Sequence, residues 1–186
     1  MNHESEKSAF EGDTMTRPRK AGAFTVVELV TVVVILGVLS LASAGPVLTY
    51  LTTVRGGAVA SRLASDVRFM QRLALSSGLR TWIVFNTSAQ TYQLYCEDRN
   101  NPGKASRVAV SHPVDQTTSA VMLNTGPFAG VTMTSVNING AAELEFDSFG
   151  QPYDSMSAAL TTAGQVVLSS GGTVVVHPVT GLVEIQ

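Results

Sequence analysis

The sequence is poor in charged residues and has a single cysteine. Asp, Glu, Lys and Arg together make up 14% of the 186 residues, against about 25% in an average soluble domain. The lone Cys96 excludes a disulfide within the chain, and we expect it to be a packed strand residue. With three histidines and one cysteine, no spacing typical of a metal site occurs, and we expect no cofactor.

Basic residues are missing from the C-terminal part of the chain, because no lysine or arginine follows Arg107. The net charge is −2. Since binding to a nucleic-acid backbone needs clustered cations, we do not expect this part to bind nucleic acid. Some of the earlier arginines could form a basic stripe, although a solvated helix face with local ion pairs is the more ordinary interpretation. These arginines are Arg55, Arg62, Arg68, Arg72 and Arg80.

No arrangement of residues typical of an enzyme occurs in the sequence. His112, Asp115 and Ser119 are the residue types of a catalytic triad, but a triad is defined by geometry rather than by closeness in sequence. The G-x-S-x-G motif is absent. Asp147 and Asp154 flank a loop that could bind calcium, although a solvated turn is the simpler interpretation. We therefore predict that the protein is not an enzyme.

The sequence does contain one long apolar segment near its N-terminus. Between Phe24 and Val54, Glu28 is the only Asp, Glu, Lys or Arg. As a helix, residues 24–44 would measure about 31 Å, close to the hydrocarbon thickness of a bilayer. Three basic residues precede the segment: Arg17, Arg19 and Lys20. By the positive-inside rule we expect a single-pass protein with a cytoplasmic N-terminus and the rest of the chain on the other side.

A second helical pattern follows Gly45-Pro46, a pair that we expect to kink or break the helix. Residues 45–78 place apolar side chains on one face, and Gly78 is a plausible C-cap. Arg62 and Asp66 are spaced for an ion pair on the other, polar side. The predicted apolar face consists of Leu51, Val54, Ala58, Val59, Leu63, Val67, Met70 and Ala74.

Residues 79–186 have the pattern of β-strands, rich in β-branched and aromatic residues. Asn139-Gly140 and Gly171-Gly172 are turn signals that predict hairpins. Sequential hairpins indicate an antiparallel sheet or small sandwich, packed on the apolar helix face, so the predicted fold class is α+β. The predicted strands are residues 81–85, 91–96, 107–110, 120–123, 131–138, 143–147, 166–170, 173–177 and 182–186.

Glu28 is the unusual residue of the apolar segment, because a charge at the centre of a membrane helix costs roughly 2.5–3.5 kcal/mol. One explanation is a secretory signal peptide cut after Ala42-Ser43-Ala44, which would release a secreted β domain. Another is an uncleaved anchor that holds a binding domain in the periplasm. Both explanations tolerate Glu28 near the cytoplasmic end of the segment, but neither gives a reason for its position.

A third explanation comes from the order of residues "GAFTVVELV" around Glu28. This order resembles the cleavage motif of type IV prepilins and type II secretion pseudopilins, in which a basic leader ends at a small residue, usually Gly. The resemblance implies a leader of residues 1–23, cleavage between Ala23 and Phe24 by prepilin peptidase, and N-methylation of Phe24. Glu28 then stands at mature position five. Cleavage after Gly22 would make Glu28 sixth, which fits the family less well.

The same resemblance implies a role for Glu28 in assembly. In that family the N-terminal helices pack side by side in a filament core, so Glu28 could pair with the amino group of Phe24 in a neighbouring subunit and specify the register. The implied fold is pilin-like, with a helix that is transmembrane in residues 24–44 and amphipathic in residues 45–78. The helix would pack on a periplasmic β domain of residues 79–186.

The second part of the chain resembles the minor pseudopilin and minor pilin group GspH/FimT. The resemblance lies in "ASRLASDVRFMQRLALSSG", in the Trp-containing strand after it, and in the turn from Phe146 to Gly150 with the strands that follow. It implies a structural subunit of a type II secretion pseudopilus or a type IV pilus, in a tip or assembly-initiation complex. A DNA-uptake minor pilin is an alternative, which the absence of Lys and Arg after Arg107 disfavours.

The resemblance also implies partners and a location. The partners would be prepilin peptidase, other pilins or pseudopilins bound through the N-terminal helix, and the inner-membrane assembly platform. The chain would start as a single-pass protein of the inner membrane with its C-terminal domain in the periplasm. It would then move into a periplasmic filament.

Overall fold

The protein is an α+β protein in which one long helix is followed by antiparallel strands. The structure is a computed structural model that describes residues 25–186, apart from the side chains at positions 43, 44 and 46. The chain divides into two compact units, residues 1–43 and 44–186. The described part of the first unit is mostly helix, and the second unit contains the rest of the helix and the strands.

The elements follow the predicted order closely. Helix α1 spans Val26–Ser77. Every predicted strand overlaps an observed one, and only the two-residue β7 has no counterpart in the prediction. Short 3-10 turns lie at Lys104–Ser106 and Gly126–Phe128. The strands are β1 Thr81–Asn86, β2 Thr91–Cys96, β3 Val108–Ala109, β4 Val121–Met122, β5 Met133–Asn137, β6 Glu143–Phe146, β7 Pro152–Tyr153, β8 Gly164–Leu168, β9 Thr173–Val176 and β10 Val183–Ile185.

Helix α1 includes Gly45 and Pro46, so of the kink or break predicted there the break is wrong. A proline inside a helix removes one backbone donor and crowds the carbonyl four residues earlier, which is the reason for expecting a kink or a break. The Thr49 hydroxyl also donates to the Gly45 carbonyl at 3.2 Å, which adds a bond to this turn. The C-cap prediction is confirmed: Gly78 has a φ of 69°, and its N–H donates to the Ala74 carbonyl at 3.0 Å.

The strands form two antiparallel sheets. The first has the order β3-β2-β1-β6-β7, with β4 also paired to β2, and the second has the order β10-β9-β8-β5. The hairpin predicted at Gly171-Gly172 is confirmed as β8–β9. The hairpin predicted at Asn139-Gly140 is wrong, because β5 pairs with β8 while β6 pairs with β1. Only Ile138 and Ala141 pair across this turn, and the chain then passes from one sheet to the other.

The C-terminal part of α1 supplies one wall of the hydrophobic core. The buried helix residues recur at spacings of mostly three and four, as expected for one face of a helix. The face differs from the prediction at its start, where Leu51, Val54 and Ala58 are exposed and Gly56 is buried instead. Asp66 was placed on the polar side but is fully buried. The buried apolar helix residues are Val59, Ala60, Leu63, Ala64, Val67, Met70 and Ala74.

The packed region of α1 begins at a close backbone contact with the β8–β9 turn. A Cβ atom added at Gly56 would lie 2.4 Å from the carbonyl carbon of Ser170 and 2.6 Å from the nitrogen of Gly171. The Ser170 hydroxyl donates to the Thr52 carbonyl at 3.1 Å. Gly171 has a φ of 90°, which favours glycine. Helix α1 and the β8–β9 turn are therefore in direct backbone contact at Gly56 and Gly171, where neither side has room for a side chain.

Gln90 connects the two sheets at the outer edge of β5. Its side-chain Oε1 accepts a hydrogen bond from the Met133 N–H at 2.6 Å, and its Nε2 donates to the Met133 carbonyl at 3.1 Å. The register of β5 shifts between Met133 and Ser135, as in a β-bulge. The Gln90 amide therefore takes the place that a neighbouring strand would take at Met133.

Candidate functional site

The described chain begins at the first turn of α1, where Glu28 lies. Thr25 precedes the helix, and its Oγ1 accepts a hydrogen bond from the Glu28 N–H at 3.2 Å. The Thr25 carbonyl accepts another from the Leu29 N–H at 3.2 Å. Thr25 is therefore the N-cap and Glu28 the third helical residue, the spacing of a T-x-x-E capping box. The observed bond is made by the backbone of Glu28, and its carboxylate lies in the first turn, where the helix dipole favours a negative charge.

The apolar surface of the first unit is uncovered. From Val26 to Leu41 every large apolar side chain of α1 is exposed, with exposed fractions between 47% at Val32 and 83% at Leu41. A helix that is apolar on all sides belongs inside a protein or in a membrane. The helix is long and apolar enough to cross a membrane.

The predicted cleavage site consists of Ala23 and Phe24, with Gly22 as the alternative. All three residues lie outside the described part of the chain. The leader of residues 1–23 lies outside it as well. Cleavage by prepilin peptidase and N-methylation of Phe24 therefore stay predictions.

A second polar site lies deep in the 44–186 unit, around the buried Asp66. The Oδ2 atom of Asp66 accepts hydrogen bonds from the Tyr92 hydroxyl at 2.7 Å and from Arg62 Nε at 3.0 Å. Nδ1 of the buried His112 lies 3.4 Å from the same oxygen. Arg62 also donates from Nη2 to Asp115 Oδ2 at 2.9 Å. We name these five residues the Asp66 cluster.

The electrostatics of the Asp66 cluster favour one fixed arrangement of protons. Burial and the nearby Asp66 carboxylate raise the pKa of Tyr92, so its hydroxyl stays protonated and donates. The hydrogen bond from Arg62 lowers the pKa of Asp115, so this carboxylate stays charged. A buried carboxylate is costly unless it is paired, and the Arg62 guanidinium provides that charge. The cluster thus ties α1 to β2 and to the loop that holds His112.

The Asp66 cluster fits a structural tie better than a catalytic centre. His112 is 1% exposed, which closes its ring to a substrate. Both of its ring nitrogens lack an aligned hydrogen-bond partner within the described chain, so Ser119 is not bonded to it. Ser119 instead lines an open groove of about 400 Å³ together with Arg62 and Asp115. The structure does not assemble His112, Asp115 and Ser119 into a triad.

The two aspartates considered for calcium bind backbone N–H groups. Asp147 Oδ1 accepts two such bonds at 2.9 Å each, and Asp154 Oδ1 accepts two at 2.8 and 3.0 Å. Burial alone would raise the pKa of Asp154, but these bonds outweigh it and lower the pKa. No group of three His, Cys, Asp or Glu side chains that could hold a metal ion occurs within residues 25–186.

The arginines considered for a basic stripe are mostly engaged. Arg62 and Arg80 pair with acidic side chains, and Arg55 and Arg68 donate to backbone carbonyls. Arg72 alone has neither a hydrogen bond nor an ion pair with the residues that the structure describes. These side chains therefore serve mainly contacts within the domain.

Cys96 and Glu145 are two further residues of the β domain with ionisable side chains that are withdrawn from solvent. Cys96 lies at the end of β2, half buried, and its burial raises the pKa of the thiol. Glu145 on β6 is 2% exposed and accepts hydrogen bonds from Arg80 and Ser157. The burial of Glu145 was not predicted, because the alternation of a short strand does not show which face is covered.

The described residues thus contain two candidate sites of different kinds. The first is the exposed apolar helix that begins at Thr25 and Glu28, and the second is the buried Asp66 cluster. The first presents an uncovered apolar surface, and the second ties α1 to β2 inside the 44–186 unit. Comparisons of this chain with protein-family models, with curated proteins and with solved structures give no match.

Proposed function

We propose that the protein is a minor pseudopilin or minor pilin, a structural subunit of a type II secretion pseudopilus or a type IV pilus. The observation that carries this proposal is the uncovered apolar surface of α1 directly after a capped first turn that contains Glu28. The order of residues from Gly22 to Glu28 supports it further. The helix would enter the filament core, and the β domain would meet sibling subunits.

The proposal assigns the chemistry to a separate enzyme. Prepilin peptidase would cut between Ala23 and Phe24 and methylate the new amino group. After the cut, Phe24 would directly precede the N-cap Thr25, so the new terminus would lie next to the start of α1. In this position its amino group could reach the Glu28 carboxylate of a neighbouring helix.

N-terminal mass spectrometry of the protein from native membranes tests the proposal directly. We expect a mature chain that begins at Phe24 and carries one additional methyl group on its amine. A chain that begins at Gly45 would show cleavage by signal peptidase and refute the proposal. An intact N-terminus in membranes with active prepilin peptidase would show that the chain is not processed and that α1 serves only as an anchor.

A pair of variants separates the two roles that Glu28 can have. Glutamine is as suitable as glutamate at the third position of a capping box, so Glu28→Gln keeps the cap and removes the charge. Glu28→Ala removes the charge and the polar side chain, while the bond from the backbone N–H to Thr25 Oγ1 is kept. If the charge specifies assembly, both variants insert into the membrane but neither enters filaments. Normal incorporation of Glu28→Gln would show that assembly does not need the charge, and the proposed pairing with Phe24 would be wrong.

A further inference from the structure

The β domain contacts α1 through two loops at the point where the packed part of the helix begins. The Ser170 hydroxyl donates to the Thr52 carbonyl at 3.1 Å, and Arg55 donates from Nη1 to the Ala129 carbonyl at 3.2 Å. A Cβ atom added at Gly130 would lie 3.6 Å from the Thr52 methyl group. We name the two segments that make these contacts the helix collar, which consists of residues 124–132 and 169–172.

The two segments of the helix collar are bonded to each other. The Ser169 N–H donates to the Thr132 carbonyl at 2.9 Å, and the Thr132 N–H donates to Ser169 Oγ at 3.0 Å. Within the first segment, Asn124 Oδ1 accepts a hydrogen bond from the Gly130 N–H at 3.1 Å. The collar is therefore one continuous surface beside α1, and its two segments cannot move independently.

The helix collar contains no charged residue. Asp, Glu, Lys and Arg are all missing from residues 116–142 and 155–176, which include both segments, although such residues make up about 25% of an average soluble domain. The exposed collar residues Asn124, Thr125 and Pro127 are neutral. A charge reaches the collar from the helix, through the bond of Arg55 to Ala129.

On its N-terminal side, helix α1 reaches the collar with an exposed apolar surface. Tyr50 is 69% exposed, and four aliphatic residues around it are exposed as well: Val47, Leu48, Leu51 and Val54. No charged residue lies between Glu28 and Arg55, and the helix is long and apolar enough to cross a membrane. Tyrosine is enriched where a membrane helix passes from hydrocarbon to headgroups. Tyr50 is therefore suited to mark this interface.

The axial distance from Tyr50 to the helix collar is comparable with the thickness of a headgroup layer. At 1.5 Å per residue, Thr52 lies about 3 Å and Gly56 about 9 Å beyond Tyr50 along the helix. A bilayer is about 40–45 Å thick with its headgroups and about 30 Å without them, which leaves roughly 5–8 Å of headgroups on each side. A membrane that holds Tyr50 at its interface would thus bring its headgroups to the level of the collar.

We propose that the helix collar rests on the lipid headgroups of the membrane that α1 spans. Thr125 and Pro127 would contact the headgroups, and Arg55 would pair with a lipid phosphate, which a guanidinium binds well. Since the collar has no carboxylate side chain, the phosphates would not repel it. The inference rests on the membrane insertion of α1 that the proposed function requires, but not on cleavage of the leader or on filament assembly.

Spin labels on the full-length chain, reconstituted into vesicles of phosphatidylethanolamine and phosphatidylglycerol, test this inference. Cys96 is first replaced by alanine, so that a label reacts only with a newly introduced cysteine. Thr125→Cys places the label on the helix collar. Phe149→Cys is the matched control, because Phe149 is exposed in a turn whose next residue, Gly150, lies against Leu75. Leu75 is about 35 Å from Thr52 along α1.

The measured quantity is the ratio of two collision rates of the label, with oxygen, which dissolves in lipid, and with a nickel chelate present in the water on both sides of the membrane. The ratio cancels the crowding around the label. We expect it to be about fivefold higher at position 125 than at position 149, because only the collar would lie in the headgroup layer.

Two results would contradict the inference, and they differ in what they mean for the proposed function. Equal ratios at positions 125 and 149, in chains that float with the vesicles, would overturn the inference alone. A chain that does not float with the vesicles would overturn the inference together with the membrane helix that the proposed function requires.

Discussion

Replacing Gly56 by alanine should separate helix α1 from the β domain at the point where the two approach most closely. The new Cβ atom would lie 2.4 Å from the carbonyl carbon and oxygen of Ser170, whereas unstrained contacts between such atoms are about 3.5–4.0 Å. The helix and the β8–β9 turn would therefore have to separate by about 1 Å. Overpacking of this kind costs about 1–3 kcal/mol.

The adjacent Gly57 provides a matched control within the same turn of α1. A Cβ atom added at Gly57 would meet nothing within 4 Å. Both substitutions gain about 1 kcal/mol of helix propensity, and both lower the entropy of the unfolded chain in the same way. The difference between the two variants therefore isolates the cost of the close contact, about 1–3 kcal/mol. Gly57→Ala should be more stable than the wild type, and Gly56→Ala should be less stable than Gly57→Ala.

Thermal unfolding of the full-length chain in detergent micelles measures this difference. Trp82 is the only tryptophan and is buried in β1, so its fluorescence reports the β domain. For a domain of this size, about 3 °C in Tm corresponds to 1 kcal/mol, so the two variants should differ by about 3–9 °C. Equal Tm values, or a higher value for Gly56→Ala, would refute the contact between α1 and the turn.

Three further predictions concern polar contacts of the β domain. Tyr92→Phe removes a donor from the buried Asp66 and should lower the free energy of unfolding by about 1–3 kcal/mol in urea titrations; a change below about 0.5 kcal/mol would contradict the role of the tie. Asp154 has a lowered pKa, so its contribution is present above the unfolded-state pKa of about 3.9 and is lost as the pH falls through the lower folded-state value. Asp154→Asn cannot titrate and should lose less stability than the wild type between about pH 4 and pH 2; parallel curves would count against this account. Gln90→Ala should speed hydrogen exchange of the Met133 amide by about fivefold or more, and an unchanged rate would show that the amide is protected by other means.

The order of the elements could be predicted from the sequence, because it depends on local patterns. Apolar periodicity and a glycine C-cap predict the end of α1 at Gly78, and β-branched runs predict the strands. The pairing of strands could not be predicted in the same way. Asn139-Gly140 does form a tight turn, but the strands on either side belong to different sheets. A turn signal specifies the chain direction over a few residues and does not specify the partners of the strands beyond them.

The buried Asp66 shows why the candidate sites were only partly predictable. The spacing from Arg62 to Asp66 predicts an ion pair, and the pair is present at 3.0 Å. Helical spacing also assigned Asp66 to the polar side, but Tyr92 and His112 approach it from distant parts of the chain and cover it. The cap formed by Thr25 and Glu28, in contrast, depends only on the local sequence, so these four residues alone suffice to predict it.

The Gln90 contact with β5 has a consequence for the number of neighbours that the second sheet can accept. Gln90 and the adjacent bulge occupy one edge at Met133, and Arg68 of α1 occupies the opposite edge at β10 by donating to the Val183 carbonyl at 2.7 Å. A sheet with such a contact at each edge offers fewer free backbone groups to a further strand on either side. These two contacts therefore disfavour edge-to-edge pairing between the β domains of neighbouring copies.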